Sequence, residues 1–270
     1  MLDPLLIAEL ALLGLCAGFL AGLLGIGGGM VMVPVLTYVL SARGVSADLA
    51  VKMAIATSMA SIVFTSVSSV RAHHKRGAVR WDIVRGLAPG IVLGAALASL
   101  GVFAWLKGQA LALVFAAFVT FSATQMLLDR RPAPTRTLPG TAGRYGAGGV
   151  IGFLSGLVGA GGGFVSVPFM TWCNVAIHQA VATSAALGFP IAVSNTVGFI
   201  LAGLVVSDLP AGALGYVYLP ALLVIASASV LMAPWGAKAA HALPIVPLKR
   251  IFALLLYTLA ISMLIKGCAD

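Results

Sequence analysis

Charged residues are scarce in this chain. Of its 270 residues, 7 are Asp or Glu, and charged residues make up 9% of the total. Hydrophobic residues make up 61%, and the mean hydropathy is +1.10. A soluble domain of this length needs far more charge on its surface, so the composition predicts a polytopic membrane protein. The net charge of +9 is then no sign of nucleic-acid binding, because basic residues of membrane proteins collect in cytoplasmic loops.

Cysteines and catalytic motifs are equally sparse. Cys16, Cys173 and Cys268 have neither disulfide nor metal spacing. The sequence has no His-Glu-x-x-His motif, and its glycine clusters are not followed by the Lys-Ser/Thr of a phosphate-binding loop. No pair of carboxylates lies within an apolar span to act as acid and base. We therefore expect no enzymatic activity, no cofactor and no bound metal.

Glycine, by contrast, is abundant, with 32 residues, and is concentrated in two copies of one stretch. The first copy runs from Gly18 to Pro34 and the second from Gly152 to Pro168, and each contains four glycines within five residues. Such a cluster opposes helix formation. Within a bilayer, a broken helix is tolerated only where protein buries the break or water reaches it. Each cluster therefore predicts a cavity at membrane depth.

The duplication extends beyond the glycines. Ala56-Thr57-Ser58 follows the first copy and recurs as Ala182-Thr183-Ser184 after the second. A basic, Pro-rich linker over residues 129–144 separates a first repeat, residues 1–128, from a second, residues 145–270. Broken apolar segments at matching positions of two repeats are typical of secondary transporters. We predict an all-α polytopic membrane protein with two repeats, each a glycine-broken helix plus three transmembrane helices.

The basic residues favour an inverted arrangement of these repeats. About a dozen apolar residues precede Gly159 and about ten follow Gly163, enough for about half of a ~30 Å hydrocarbon core. Each broken segment is therefore either a re-entrant hairpin or one tilted crossing. Returning hairpins divide the Lys and Arg residues 12 to 4 between the two sides, whereas crossing segments divide them 10 to 6 at best. The positive-inside rule prefers the first, with both termini periplasmic. The stretch from Leu5 to Leu24 is nevertheless long enough to span, which argues for a crossing.

The chemistry expected at the glycine clusters is anion binding. A helix that restarts after a cluster points its N-terminus, with its partial positive charge and free N–H groups, at the break. Hydroxyls on the following helix could add further hydrogen bonds to the anion. The candidate substrate-binding residues are Gly25, Gly27, Gly28, Gly29, Met30, Thr57, Ser58, Gly159, Gly161, Gly162, Gly163, Phe164, Thr183 and Ser184.

Other interpretations of these residues remain open. Glycines and small hydroxyl residues are also common where membrane helices pack closely, so the same pattern could serve packing alone. Lys52 and His178 occupy matching positions, each five residues before a repeated Thr, and could attract anions or simply reach the interface. Asn195 continues the face below Ser184 and is a further candidate.

The duplicated Gly-Phe-x-x-Gly-x-x-Gly-x-Gly-Gly-Gly…Val-Pro motif, with Ala-Thr-Ser after each copy, resembles the TauE/SafE sulfite exporter family. The resemblance covers nearly the whole chain. It implies a permease of the bacterial inner membrane for sulfite, organosulfonates or related small anions, often in the export direction. Members with different substrates share the motif, so the resemblance does not name the anion.

From these observations we expect a secondary transporter that exports a small sulfur-containing anion, such as sulfite or sulfoacetate, bound at the membrane midplane between the two glycine clusters. Its partners would be this anion and membrane lipid, with no nucleic acid. The alternatives are an anion channel, with the glycines as its filter, and a membrane scaffold that transports nothing.

Overall fold

The computed structural model describes residues 3–25, 27–128, 136–242 and 245–268, and these residues are mostly helical. Within them, seven helices are long and apolar enough to cross a membrane, which confirms the predicted all-α polytopic class. A two-stranded antiparallel pairing of β1 (Ala213–Leu214) with β2 (Val217–Tyr218) is a small addition to that class. The helices are α1 (Pro4–Leu24), α2 (Gly29–Ala42), α3 (Ala47–His74), α4 (Trp81–Ala96), α5 (Phe103–Trp105), α6 (Gly108–Leu128), α7 (Thr141–Val158), α8 (Gly163–Trp172), α9 (Ile177–Gly203), α10 (Leu219–Ala242) and α11 (Ile245–Cys268).

The helix ends follow local sequence signals. Asp3 caps α1 by accepting a hydrogen bond from the backbone N–H of Leu5 at 3.4 Å, and Pro4 occupies the first turn. Helix α1 ends at Gly25, whose left-handed conformation is the usual way for glycine to stop a helix. Between α4 and α5 the chain stays helical through a π-helical segment, Leu97–Val102, so residues 81–105 form one continuous span.

The linker between the proposed repeats is only partly described. Residues 129–135 lie outside the described part of the chain. The Arg136 guanidinium lies 4.4 Å from the centre of the Trp172 ring, and α7 begins at Thr141, before the predicted end of the linker at residue 144. The division into residues 1–128, 129–144 and 145–270 stays a prediction.

In the first half, α1 and α3 run in the same direction. Both pack along α10. Gly14 of α1 lies against Ile225 and Gly22 lies against Ala233, so residue numbers increase in the same direction along α1 and α10. Helix α3 follows α10 in the same sense, from Thr65 beside Ser229 to Arg76 beside Ala237. Because α2 joins α1 to α3, it runs back against both, and the chain reverses direction at the glycine cluster.

The second half repeats this order. Helix α7 packs along α4, with Gly90 against Tyr145 and Gly94 against Gly149, and α9 runs beside α4 in the same direction. Helix α8 therefore runs back between α7 and α9. The first helix of each half thus packs against a helix of the other half, and α3 and α9 meet in the middle. The last helices, α6 and α11, pack against one another.

Candidate functional site

The two glycine clusters form two closely similar turns. The first turn joins α1 to α2 and has Gly25 at φ 68° and Gly28 at φ 74°; the second joins α7 to α8 and has Gly159 at φ 71° and Gly162 at φ 77°. These left-handed conformations are costly for residues with a Cβ, so the backbone itself requires glycine at these four positions, and also at Gly27 of the first turn, where φ is 77°.

The two turns touch one another in the middle of the molecule. A methyl group on Gly27 would lie 2.9 Å from the Cα atom of Gly161, and one on Gly29 would collide with the carbonyl oxygen of Gly159. The first turn could not hold even an alanine at Gly27 or Gly29 unless the second turn moved. The sequence-predicted glycines are therefore brought together, with backbone facing backbone.

A serine from each half forms a hydrogen bond with the glycine turn of the other half. The Ser58 hydroxyl donates to the carbonyl oxygen of Gly159 at 3.0 Å, and the Ser184 hydroxyl donates to that of Gly25, also at 3.0 Å. Ser184 in addition accepts a hydrogen bond from Ser166 at 2.8 Å. Both serines are completely buried, so these hydrogen bonds form away from water. In this conformation the protons of Ser58 and Ser184 are engaged with protein rather than directed at a ligand.

The repeated threonines make a second reciprocal pair of contacts. Thr57 accepts a hydrogen bond from the backbone N–H of Tyr218, just before α10, at 2.9 Å. Thr183 accepts one from the backbone N–H of Arg80, just before α4, at 3.0 Å. Each threonine therefore helps to fix the start of a helix in the other half, and each is fully buried.

The helices that leave the turns have the electrostatics expected of an anion site. Gly28 and Gly162 are the N-caps of α2 and α8, and neither contributes a side chain to cap the helix. The first-turn amides and the positive dipole end of each helix therefore lie next to the glycine turn from which that helix starts. Met30 and Phe164 are buried in the first turns of α2 and α8. The Phe164 ring packs edge-on against the Phe118 ring, with 4.2 Å between the ring centres.

A small cavity lies beside the touching turns. Its volume is about 10 Å³, which is roughly the minimum for one water molecule. The cavity is therefore too small for a sulfur oxyanion. Its wall includes Gly25, Gly27 and Gly161 together with Ser66 and Ser69 of α3. Any anion binding between the turns would require them to move apart.

Ser69 and Asn195 are buried polar residues with unpaired atoms. The Ser69 hydroxyl and the Asn195 Oδ1 have no hydrogen-bond partner among the described residues, although both side chains are at most 2% exposed. Counting from the repeated Thr57 and Thr183, the two residues occupy matching positions. Sequence reasoning included Asn195 but missed Ser69 and Ser66. Comparing the two repeats residue by residue would have paired Ser69 with Asn195.

Lys52 and His178 are not equivalent in the structure. Lys52 is buried and lies 3.5 Å from the carboxylate of Asp48, with its ammonium group 5.9 Å from the centre of the Tyr216 ring. Burial raises the pKa of Tyr216, so this phenol stays neutral. His178 is exposed. Among the described residues, no group of three His, Cys, Asp or Glu side chains could hold a metal ion.

Comparison with known proteins identifies related sequences over nearly the whole chain. Residues 10–263 match the family described as "Sulfite exporter TauE/SafE". A "Probable membrane transporter protein" of Haemophilus influenzae is 40% identical over 256 residues, which cover 94% of this chain and 97% of that protein.

More distant relatives carry the same description. "Probable membrane transporter protein YunE" of Bacillus subtilis is 30% identical over 218 residues, covering 72% of this chain and 78% of the relative. A probable membrane transporter protein of Methanocaldococcus jannaschii is 27% identical over 215 residues, covering 79% of this chain and 76% of the relative. No solved structure matches the chain.

Proposed function

The chain belongs to the sulfite exporter TauE/SafE family, and on that basis we propose that it exports a small sulfur-containing anion, such as sulfite or an organosulfonate, across the bacterial inner membrane. Membership of this family and the names of the relatives make it a membrane transporter. We assign it no enzymatic activity. The sulfur anion and its binding site between the glycine turns are the proposed part.

The observation that carries the proposal is the meeting of two glycine turns at the N-termini of α2 and α8. Two helix N-termini without side-chain caps offer backbone N–H donors and partial positive charge at two turns that touch one another. Glycine lets an anion approach these amides closely, because no side chain stands in the way. An oxyanion with several acceptor oxygens matches such a set of donors.

The structure supports a transport cycle in which the turns separate and close. With Gly27 against Gly161, the cavity is smaller than the anion, so this conformation corresponds to a closed state. The reciprocal hydrogen bonds of Ser58 and Ser184 would break as the turns separate, and their hydroxyls would become available to the anion. Alternating access by movement of one repeat against the other fits this exchange of partners.

The helix directions support the proposed inverted repeats. Helices α1 and α3 run the same way with α2 returning between them, and α7, α8 and α9 repeat the pattern. In the proposed arrangement both hairpins are re-entrant, and α1 enters the membrane without crossing it, although it is long enough to span. Both termini then lie on one side and the basic loops on the other, and the positive-inside rule favours a periplasmic position for the termini.

Export needs no coupling ion in this scheme. A cell interior negative by 100 mV favours the outward movement of each negative charge by about 2.3 kcal/mol. The low content of acidic residues, 7 in the whole chain, agrees with a mechanism that does not depend on a proton relay of carboxylates.

The test is ligand-dependent thermal stabilisation of the purified protein by sulfite, sulfate, thiosulfate, sulfoacetate and taurine, with acetate as a carboxylate control. A ligand that binds the folded state raises the unfolding temperature as its concentration exceeds Kd. We expect one sulfur anion to stabilise the wild type but not the double variant Ser58→Ala with Ser184→Ala. Ser227→Ala is the control, because its exposed hydroxyl bonds only within its own helix.

The outcomes separate the competing functions. Stabilisation by a sulfur anion that disappears only in the Ser58 and Ser184 double variant supports the proposed site. No response to any sulfur anion would contradict the substrate class. Single-channel currents from the reconstituted protein would favour the channel, whereas saturable, slow flux would exclude it.

A further inference from the structure

A second, larger cavity opens between α3 and α10, away from the glycine turns. It has a volume of about 820 Å³. One end is apolar, with Val63, Phe64, Val67 and Val230 on its walls, and the other end carries four basic residues. These are Arg71, Lys75, Arg76 and Lys238. We call this cavity the basic groove.

The basic groove lies on the outer face of the helix bundle. The face of α3 that carries Thr57, Ser61 and Thr65 is completely buried, whereas Phe64 is 50% exposed and Trp235 on the facing wall is 59% exposed. Large apolar side chains with this exposure face lipid in a membrane protein. The groove is therefore open to the bilayer and separated from the glycine turns by the buried face of α3.

The walls of the groove are held together at intervals along its length. The Ser68 hydroxyl donates to the carbonyl oxygen of Val230 at 2.8 Å, and the Arg76 guanidinium donates to that of Ala237 at 2.6 Å. Arg76 is thus engaged with the protein. Arg71, Lys75 and Lys238 are exposed at the rim, and the Lys238 ammonium lies 5.8 Å from the centre of the Trp235 ring.

The matching helix contact of the second half shows that the fold does not require these charges. There, Ser194 of α9 donates to the carbonyl oxygen of Val92 of α4 at 3.1 Å, as Ser68 does to Val230. Counting along the helices from these contacts, Val197 and Leu201 replace Arg71 and Lys75, and Leu100 replaces Lys238. These three residues are about half exposed. The three equivalent positions are therefore apolar, as lipid contact alone would allow.

We propose that the basic groove binds one anionic phospholipid, with its phosphate against Arg71, Lys75 and Lys238 and an acyl chain along Phe64, Val67 and Val230. Guanidinium and ammonium groups bind phosphate through charge-assisted hydrogen bonds. A basic cluster at the end of an apolar cleft between membrane helices fits a molecule that is charged at one end and apolar along the rest. A soluble phosphate compound would use the rim but leave the apolar walls unfilled.

Fluorescence quenching by brominated lipid tests this site at Trp235. A variant with Trp81→Phe, Trp105→Phe and Trp172→Phe has Trp235 as its single tryptophan. This variant is reconstituted in phosphatidylcholine vesicles that contain a small fraction of brominated lipid. We expect brominated phosphatidylglycerol to quench Trp235 at a lower mole fraction than brominated phosphatidylcholine does. Arg71→Gln with Lys238→Gln should weaken this preference about 25-fold, since each cation near the membrane contributes about five-fold.

The control removes two exposed basic residues elsewhere, with Arg85→Gln and Arg250→Gln. If general attraction between basic residues and anionic lipid explained the quenching, the two double variants would behave alike, and the proposal would be wrong. Equal quenching by the two brominated lipids in the Trp235 protein would also overturn it. Glycerol phosphate is the third arm: if it displaces brominated phosphatidylglycerol, the groove binds a soluble anion instead. Every variant must retain the helical content and unfolding temperature of its parent.

Discussion

The first and second halves of the chain build their glycine turns alike, whereas the helices beside those turns carry different side chains. Gly25 and Gly159 end their helices in the same conformation, and Ser58 and Ser184 make the same contact with the opposite turn. On these helices, Ser69 corresponds to Asn195 and buried Lys52 to exposed His178. Farther out, three basic residues of the basic groove correspond to the apolar Val197, Leu201 and Leu100.

Contacts present in both halves belong to the shared architecture, whereas other features are present in one half only. A contact that occurs twice is required by each half to hold the other, as with the threonines that accept from Tyr218 and Arg80. A feature that occurs once, such as the basic groove, is not needed for that mutual support. Variants made in pairs, one in each half, can therefore distinguish the two kinds of residue.

The largest difference between paired variants is expected for Gly28→Ala and Gly162→Ala. Both place a Cβ on a left-handed backbone, but at Gly28 it would meet the backbone oxygen of Ala17, and at Gly162 the end of the Ile191 side chain. Backbone cannot move aside as a side chain can, so Gly28→Ala should lower the free energy of unfolding by about 1–3 kcal/mol more. Thermal unfolding of the purified variants measures this difference.

Gly146→Ala is the control for both glycine variants, because Gly146 lies within α7 with open space around it. Alanine favours the helix there by up to about 1 kcal/mol relative to glycine. Equal destabilisation by Gly28→Ala and Gly162→Ala would contradict this prediction. It would mean that the backbone of Ala17 gives way as readily as the side chain of Ile191.

A smaller difference is expected between Ser184→Ala and Ser58→Ala. Ser184→Ala removes the hydrogen bond to Gly25 and also leaves Ser166 without its partner, whereas Ser58→Ala removes the bond to Gly159. We expect a loss of about 2 kcal/mol for Ser184→Ala and about 1 kcal/mol for Ser58→Ala, measured by thermal unfolding. Adding Ser166→Ala to Ser184→Ala should recover part of the loss, because it removes the unpaired hydroxyl. A further loss would show that Ser166 has a different partner.

The smallest effect on stability is expected for Ser69→Ala. Its hydroxyl has no partner among the described residues, so its removal should leave the unfolding temperature unchanged or slightly higher. If Ser69 donates to the anion, the same variant should weaken anion affinity about ten-fold, as isothermal titration with the stabilising anion would measure.

Ser66→Ala is the matched control for Ser69→Ala, because Ser66 lines the same cavity but its hydroxyl donates to the carbonyl oxygen of Val63 at 3.0 Å. A smaller change in affinity is expected for Ser66→Ala. If Ser69→Ala leaves the anion affinity unchanged, Ser69 does not contribute to the anion-binding site.

Much of the fold could be predicted because its signals are local. Asp3-Pro4 predicts the start of α1, and the glycine clusters predict where α1 and α7 end. The duplication also identified the pairs Thr57 with Thr183 and Ser58 with Ser184. Their partners could not be predicted, because each hydrogen bond joins residues more than 100 positions apart whose approach depends on how the halves pack.

Ser69 was missed for a related reason. A serine in an apolar helix usually bonds to its own backbone, as Ser61 does to Thr57 at 3.0 Å, and the sequence does not show which serines do not. The basic groove was equally hidden, since Arg71 and Lys238 belong to different halves and meet only where α3 packs against α10. The substrate-binding role of the glycines and hydroxyls remains a prediction.

The position of a bound anion would show whether the glycine turns form the binding site. Selenite has the shape and charge of sulfite, and selenium scatters X-rays anomalously, so diffraction from crystals grown with selenite locates the anion without a model of its surroundings. We expect one strong anomalous peak between Gly25–Gly29 and Gly159–Gly163, with the two turns farther apart than in the closed state. A peak elsewhere, with Gly27 still packed against Gly161, would contradict this expectation.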